Sequence, residues 1–222
     1  MFIQGVYSIN IQNINFTSNN LSLRGVVYFP SGQSGPFPAI VVCHPHPQYG
    51  GSMDNNVVNS VCEAMVYKSF ICLKFNFRGV NGSQGIFDNG RGEKEDVLSA
   101  ISFITSLKEV DQNAIGLVGY SAGAAWGLAA ACLDSRVKAV AAISPPLSMS
   151  DFSFLYNYAL PKMVISGQKD NFIPTAYFQN LCEKIQEPKE CYSIPKADHF
   201  WMGFESEIAD KIATFFVKYL RH

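Results

Sequence analysis

From residue 39 onward the chain alternates short, mostly apolar runs with longer segments whose apolar positions recur every three to four residues. The runs fall at 39–43, 70–75, 114–118, 139–143 and 163–165, with a further one around 191–194. Runs this short, without polar alternation, predict strands buried on both faces. The periodic segments between them predict helices over about 54–68, 92–107, 122–133, 174–186 and 204–220. Strands that alternate with helices imply a mostly parallel sheet with helices on both faces, so the fold class is α/β. The polar stretch within residues 5–29, ending in Val26-Val27-Tyr28-Phe29, reads instead as two or three antiparallel strands. A Gly/Pro/Ser loop at 30–38 separates it from the parallel part.

Composition narrows the partners. At 222 residues with 48% hydrophobic content, the chain fits one domain over 1–222 with a substantial core. Seventeen basic against 18 acidic residues give a net charge of -1, without the electrostatic footprint that nucleic acid or an anionic membrane surface requires. Nothing in the chain resembles a membrane span. Met1-Phe2-Ile3-Gln4-Gly5-Val6-Tyr7 lacks the basic start and apolar run of a signal peptide. Six cysteines lie scattered through apolar stretches with no C-x-x-C spacing, so they read as reduced, mostly buried thiols. A cytoplasmic protein acting on a small neutral or weakly charged molecule is expected, with no cofactor.

Ligands of parallel sheets bind at the carboxyl ends of the strands, which directs attention to the residues after each run. At Gly119-Tyr120-Ser121-Ala122-Gly123 an apolar run passes straight into an alanine-rich helix. That turn forces the serine into a strained conformation, and side chains two residues away on either side would collide, so glycine is required at both flanks. Ser121 is the candidate nucleophile, although a tightly packed Gly-rich turn has the same pattern. Asp170 lies in the loop beyond the run at 163–165, where an aspartate also serves as a helix cap. His199 lies in Ala197-Asp198-His199-Phe200-Trp201, ahead of the last helix. His44 and His46 precede the serine and His222 ends the chain, so His199 alone completes the order Ser, Asp, His. A serine hydroxyl needs an imidazole to accept its proton, and the carboxylate fixes the imidazole tautomer. Asp198 is an alternative acid, but a side chain one residue away rarely curls back to its neighbour's ring.

An oxyanion hole should combine the backbone N–H of Ala122 with one from the loop His44-Pro45-His46-Pro47-Gln48-Tyr49-Gly50-Gly51. Pro45 and Pro47 have no N–H, which leaves His44 and His46, and His46 is chosen for its separation from the strand end. The His-x-His spacing also admits a zinc reading, but no carboxylate or thiol cluster elsewhere obviously completes a ligand set. Arg78, in the loop after 70–75, is a candidate for a substrate carboxylate or for a salt bridge to Glu93, Glu95 or Asp96.

With turn, acid, base and donor loop placed, the chain resembles the α/β-hydrolase superfamily over nearly its full length. His44-Pro45-His46-Pro47 followed by Gly50-Gly51-Ser52-Met53-Asp54-Asn55, with Asn76-Phe77-Arg78-Gly79 later, is similar to a branch of small bacterial serine hydrolases near the dienelactone hydrolases and prolyl-oligopeptidase-type catalytic domains. Two departures stand out: the His-Gly-Gly-Gly donor motif of many esterases is replaced by a proline-interrupted sequence, and dienelactone hydrolases proper carry a cysteine where Ser121 stands. Many α/β-hydrolases insert a large cap where this chain has only residues 144–162, so an open site with a minimal cap is expected. Met53, Tyr120, Phe152, Phe154 and Trp201 are candidates to line an apolar pocket, or simply pack on the sheet. The resemblance implies a serine hydrolase, read here as a carboxylesterase for small or soluble esters. Thioesterase, amidase or peptidase action remains open with the same triad, as does a non-catalytic ligand-binding role.

Overall fold

In the computed structural model, which describes residues 9–32 and 34–221, two antiparallel strands come first: β1 (Asn10–Ser18) and β2 (Leu21–Phe29). They turn at Asn19 and Asn20, whose φ values of 44° and 67° suit the left-handed residues of a two-residue hairpin. Residues 5–8 of the expected antiparallel stretch, the segment 1–7 read for a leader, and His222 lie outside the described residues. There follow β3 (Phe37–Cys43), α1 (Asn56–Tyr67), β4 (Ile71–Phe75), α2 (Arg91–Thr105), β5 (Val110–Tyr120), α3 (Ala122–Ala131), β6 (Val137–Ile143), β7 (Lys162–Gly167), α4 (Thr175–Lys184), β8 (Lys189–Ile194) and α5 (Glu205–Leu220). β5 begins ahead of its apolar run because Gln112 and Asn113 are exposed strand positions that hydrophobicity does not mark.

All eight strands form one sheet, in the order β1-β2-β4-β3-β5-β6-β7-β8. β1 and β4 each pair antiparallel with β2, and every other pairing is parallel. The apolar runs feed two cores at once. Ile40, Val42 and Val118 point to one face, against Val61 and Met65 of α1 and Ile212 and Phe216 of α5. Val41, Leu73 and Leu117 point to the other, against Ile101 of α2, Leu128 of α3 and Phe178 and Leu181 of α4. After β3 the chain steps outward to β4, then crosses back over β3 to β5. The order therefore reverses between β3 and β5, and the loops leaving those two strands flank the crevice where such sheets bind ligands. Residues 144–162 hold only a 3-10 turn, Ser153–Leu155, with Phe152 and Leu155 buried against the second core. Among the described residues, no helix is long and apolar enough to cross a membrane. All six cysteines are free, Cys43, Cys62 and Cys72 buried and the other three half-buried.

The loop after β4 is pinned by an ion pair. Asp96 of α2 is fully buried and accepts from Arg78 Nε and Nη2, from the Arg78 backbone N–H and from Ser18 Oγ, at 2.7–3.2 Å. Arg78 is thus occupied by structure, and its hydrogen bonds to the Asp96 carboxylate push its guanidinium pKa up, against the opposing effect of burial. Gly92 is what admits it, since a Cβ there would lie 1.9 Å from Arg78 Nη1. Replacement of Arg78 by methionine leaves the Asp96 carboxylate buried without its partner. Urea unfolding of Arg78→Met is expected to show a loss of about 3–5 kcal/mol.

Candidate active site

Ser121 joins β5 to α3 with φ 55° and ψ −120°, a conformation that costs an L-residue strain and persists only where surroundings impose it. They do so through backbone contacts. The Ser121 N–H donates to Ile143 O at 2.8 Å, and its carbonyl accepts from Ala124 N–H at 2.9 Å. A Cβ on Gly119 would stand 2.4 Å from Ala124 Cα, and one on Gly123 would stand 2.4 Å from Cys43 O and 2.5 Å from His44 O. Both flanking glycines are therefore sites of close backbone approach, and the second presses the loop after β3 against the first turn of α3.

Three side chains from separate loops meet at this turn. His199 Nε2 lies 3.0 Å from Ser121 Oγ, and His199 Nδ1 lies 2.8 Å from Asp170 Oδ2. A buried carboxylate facing Nδ1 selects the tautomer with its proton there, which leaves the Nε2 lone pair facing the serine hydroxyl. The Asp170 side chain is fully shielded from solvent, and its Oδ1 accepts from Phe172 N–H at 3.0 Å. Gly167 lets the two loops meet: a Cβ there would stand 2.3 Å from Ala197 O, and Lys169 N–H donates to that same carbonyl at 2.9 Å. Asp198, the alternative acid, instead accepts from the backbone N–H of Phe200 and Trp201 at 2.9 and 3.1 Å, so it folds its own turn and leaves the imidazole to Asp170.

On the opposite side of Ser121, the loop after β3 is locked by His44. Its ring is fully buried; Nδ1 donates to Pro45 O at 2.6 Å and Nε2 accepts from Phe77 N–H at 3.1 Å. Burial lowers its pKa to about 4, so the ring is a neutral clamp between the loops after β3 and β4. His46 turns outward, its Nδ1 accepting from Gln48 N–H and its ring packed 5.0–5.3 Å from Tyr49, Phe87 and Trp126. With both nitrogens of His44 and Nδ1 of His46 engaged, the His-x-His pair has no shared set of lone pairs to offer zinc. Gly51 closes the loop, since a Cβ there would overlap Pro45 O at 2.1 Å. Among the described residues, the backbone N–H groups of Ala122 and His46 have no acceptor, as donors to an incoming oxyanion require.

The expected pocket needs correction. Tyr120 is buried beneath the site, its hydroxyl donating to His199 O at 2.7 Å, so it supports the base and does not line a cavity. Trp201 is wholly enclosed in the core with α1 and α5, its Nε1 donating to Ser144 Oγ at 3.1 Å. Phe152 is likewise core. Met53 and Phe154 are half-buried, Met53 held by its N–H donating to Asn76 Oδ1. What stands beside His199 at the surface is Phe172 and Phe200, 52% and 58% exposed, with ring centroids 4.8 and 5.7 Å from the imidazole. Their signal in the sequence was an aromatic residue two positions after each aspartate, in loops otherwise made of turn residues.

The chain matches a family model described as X-Pro dipeptidyl-peptidase (S15 family) over residues 20–170, which takes in Ser121 and Asp170. An uncharacterised protein of Rickettsia prowazekii is 31% identical over 197 residues, covering 83% of this chain and 82% of the relative. A crystal structure from Xanthomonas campestris, described as a member of the α/β serine hydrolases without a lid, superposes with a TM-score of 0.85 at 25% identity, covering 96% of each chain. A thiohydrolase of Arthrinium phaeospermum is 33% identical over 132 residues, which is 58% of this chain and 41% of the relative.

Two measurements probe this geometry. In Gly167→Ala the acid loop must retreat from the base loop, and kcat is expected to fall by about 100-fold while the far-ultraviolet spectrum stays unchanged. Folded His44 stays neutral down to about pH 4, whereas the unfolded chain takes up that proton near 6.5. The stability it contributes is complete above pH 6.5 and drains away as pH falls toward 4, by about 3 kcal/mol. Urea unfolding over that range is expected to show this slope in the wild type and to lack it in His44→Gln.

Proposed function

The chain belongs to the X-Pro dipeptidyl-peptidase (S15) family and is an α/β-fold hydrolase of the serine type, and from that membership we propose that it is a carboxylesterase acting on small or soluble esters. The observation that carries the reading is the relay Ser121–His199–Asp170, with hydrogen-bond distances of 3.0 and 2.8 Å, beneath a surface without a cap. Ser121 Oγ attacks the ester carbonyl as His199 Nε2 takes its proton, and Asp170 stabilises the imidazolium. The N–H groups of Ala122 and His46 hold the oxyanion, helped by the N-terminal end of the ten-residue α3. His199 then gives its proton to the departing alcohol, and a water molecule, activated by the same imidazole, releases the acid.

Esters are favoured over the peptides of the family's name by the state of three carboxylates, one in the relay and two on the His199 side. A dipeptidyl-peptidase must hold its substrate's free α-amine, which calls for an unpaired acid close to the nucleophile. Asp170 is committed to His199, Asp198 to its own turn, and Glu205 to Asn56 and Gly203. A thioesterase is the second reading, favoured by the partial match to a fungal thiohydrolase.

Purified protein is expected to hydrolyse p-nitrophenyl acetate, with Ser121→Ala slower by about four to six orders of magnitude in kcat. A fluorophosphonate probe should label wild type and spare the variant. Parallel assays with an alanyl-prolyl anilide and an acyl thioester rank the readings. Wild-type turnover retained in Ser121→Ala, or a kcat/KM highest for the anilide, would reject the esterase assignment.

A further inference from the structure

In acyl transfer the leaving group cannot lie anywhere around the nucleophile. Its heteroatom must come within hydrogen-bond reach of the protonated base, so the departing alcohol sits on the His199 side of Ser121 and the acyl chain lies elsewhere. The surface on that side is unusual. Phe172 and Phe200 stand at 90° to one another with centroids 6.3 Å apart, flanking the imidazole from the acid loop and the base loop respectively. Over half of each side chain is open to solvent. Tyr120, the other ring near His199, is buried below it and takes no part in this surface.

Both rings stand on ordered turns. The Phe172 N–H is held by Asp170 Oδ1 and its carbonyl by Ser148 Oγ, while the Phe200 N–H is held by Asp198 Oδ1. The backbone that carries each ring is therefore set by the same loop turns that set the acid and the base, and the ring centroids lie 4.8 and 5.7 Å from the imidazole. Two perpendicular ring faces make a right-angled apolar corner that fits a flat group edge-on to one face and stacked on the other.

We propose that Phe172 and Phe200 form the leaving-group subsite and direct the enzyme toward esters whose alcohol carries an aromatic ring. The inference rests on the esterase reading and specifies its substrate class. The bond cleaved is the acyl C–O bond: the alkoxide oxygen leaves with the electron pair and takes the proton from His199 Nε2, and the acyl group stays on Ser121 Oγ.

The test compares benzyl acetate with 2-methoxyethyl acetate, which share an acyl group and release alcohols of similar acidity, so that only recognition of the leaving group differs. Wild type is expected to prefer the benzyl ester by about tenfold or more in kcat/KM. Phe172→Ala and Phe200→Ala should each lose most of that preference through a higher KM for benzyl acetate, with the methoxyethyl ester changed less than about twofold. The leucine variants should retain an intermediate preference, and fluorophosphonate labelling of Ser121 should be undiminished throughout. Equal use of the two esters by wild type, or a parallel fall for both in the alanine variants, overturns the inference and makes the rings mere supports of His199. Turnover of neither ester by wild type overturns the esterase reading itself, and the subsite with it.

Discussion

The backbone at Ser121 is held with positive φ by peptide groups packed too closely for any side chain to intervene, and the rest of the site is arranged around that crossing. Gly119 lies against Ala124 and Gly123 against the carbonyls of Cys43 and His44, each within a distance that excludes a Cβ. Strain of this kind costs about 1–3 kcal/mol and is sustained by what surrounds it, here the Ser121 N–H bond to Ile143 O and the packing of α3 on β5. Three consequences follow from the one constraint. Oγ stands clear of the sheet, the next N–H has no acceptor among the described residues, and the loop after β3 is brought to the same spot. The candidate nucleophile and the proposed oxyanion donors thus share a single geometric cause.

A second crossing does for acid and base what the first does for the serine. Gly167 allows the ends of β7 and β8 to touch, and Lys169 and Ala197 bind across the gap. Tyr120 then ties the two crossings together, because it precedes the nucleophile in β5 and holds the carbonyl of His199. His44 links the loops after β3 and β4 in the same manner, as a buried neutral ring with a donor on one side and an acceptor on the other. The loops of the site are thus tied to one another and do not depend on a cap for their order.

Much of this was legible in the sequence because the signals were local. Buried parallel strands are short and apolar, so the runs at 39–43 and 139–143 mark β3 and β6 closely. Gly119, Ser121 and Gly123 declare their turn through sterics, and Asp170 and His199 through chain order. What escaped was decided by direction, which composition does not carry. Tyr120 and Trp201 read as candidates for an apolar pocket or for packing on the sheet, and strand alternation and a positive φ of 60° at Trp201 send them into the core. Phe172 and Phe200 carry no periodic signal, since each is aimed by an aspartate turn two residues earlier. Arg78 was ambiguous between substrate and salt bridge until Gly92 was seen to leave room for its guanidinium beside Asp96.

A site without a cap meets a physical difficulty that its own residues only partly answer. Backbone donors stabilise an oxyanion strongly when water is excluded, because in a low local dielectric each hydrogen bond counts for more. Here residues 144–162 hold no more than a 3-10 turn whose Phe152 and Leu155 are buried in the core, so among the described residues that segment builds no cap over Ser121. The apolar surface nearest the relay consists of two rings on the His199 side, fixed to the acid and base loops. A substrate with an aromatic alcohol would bring the missing half of the enclosure with it, covering the imidazole against those rings as it binds. A small polar alcohol would leave the same atoms wet. On this view binding of the leaving group and the dielectric of the site are one variable, and substrate preference follows from how the open face of His199 is covered.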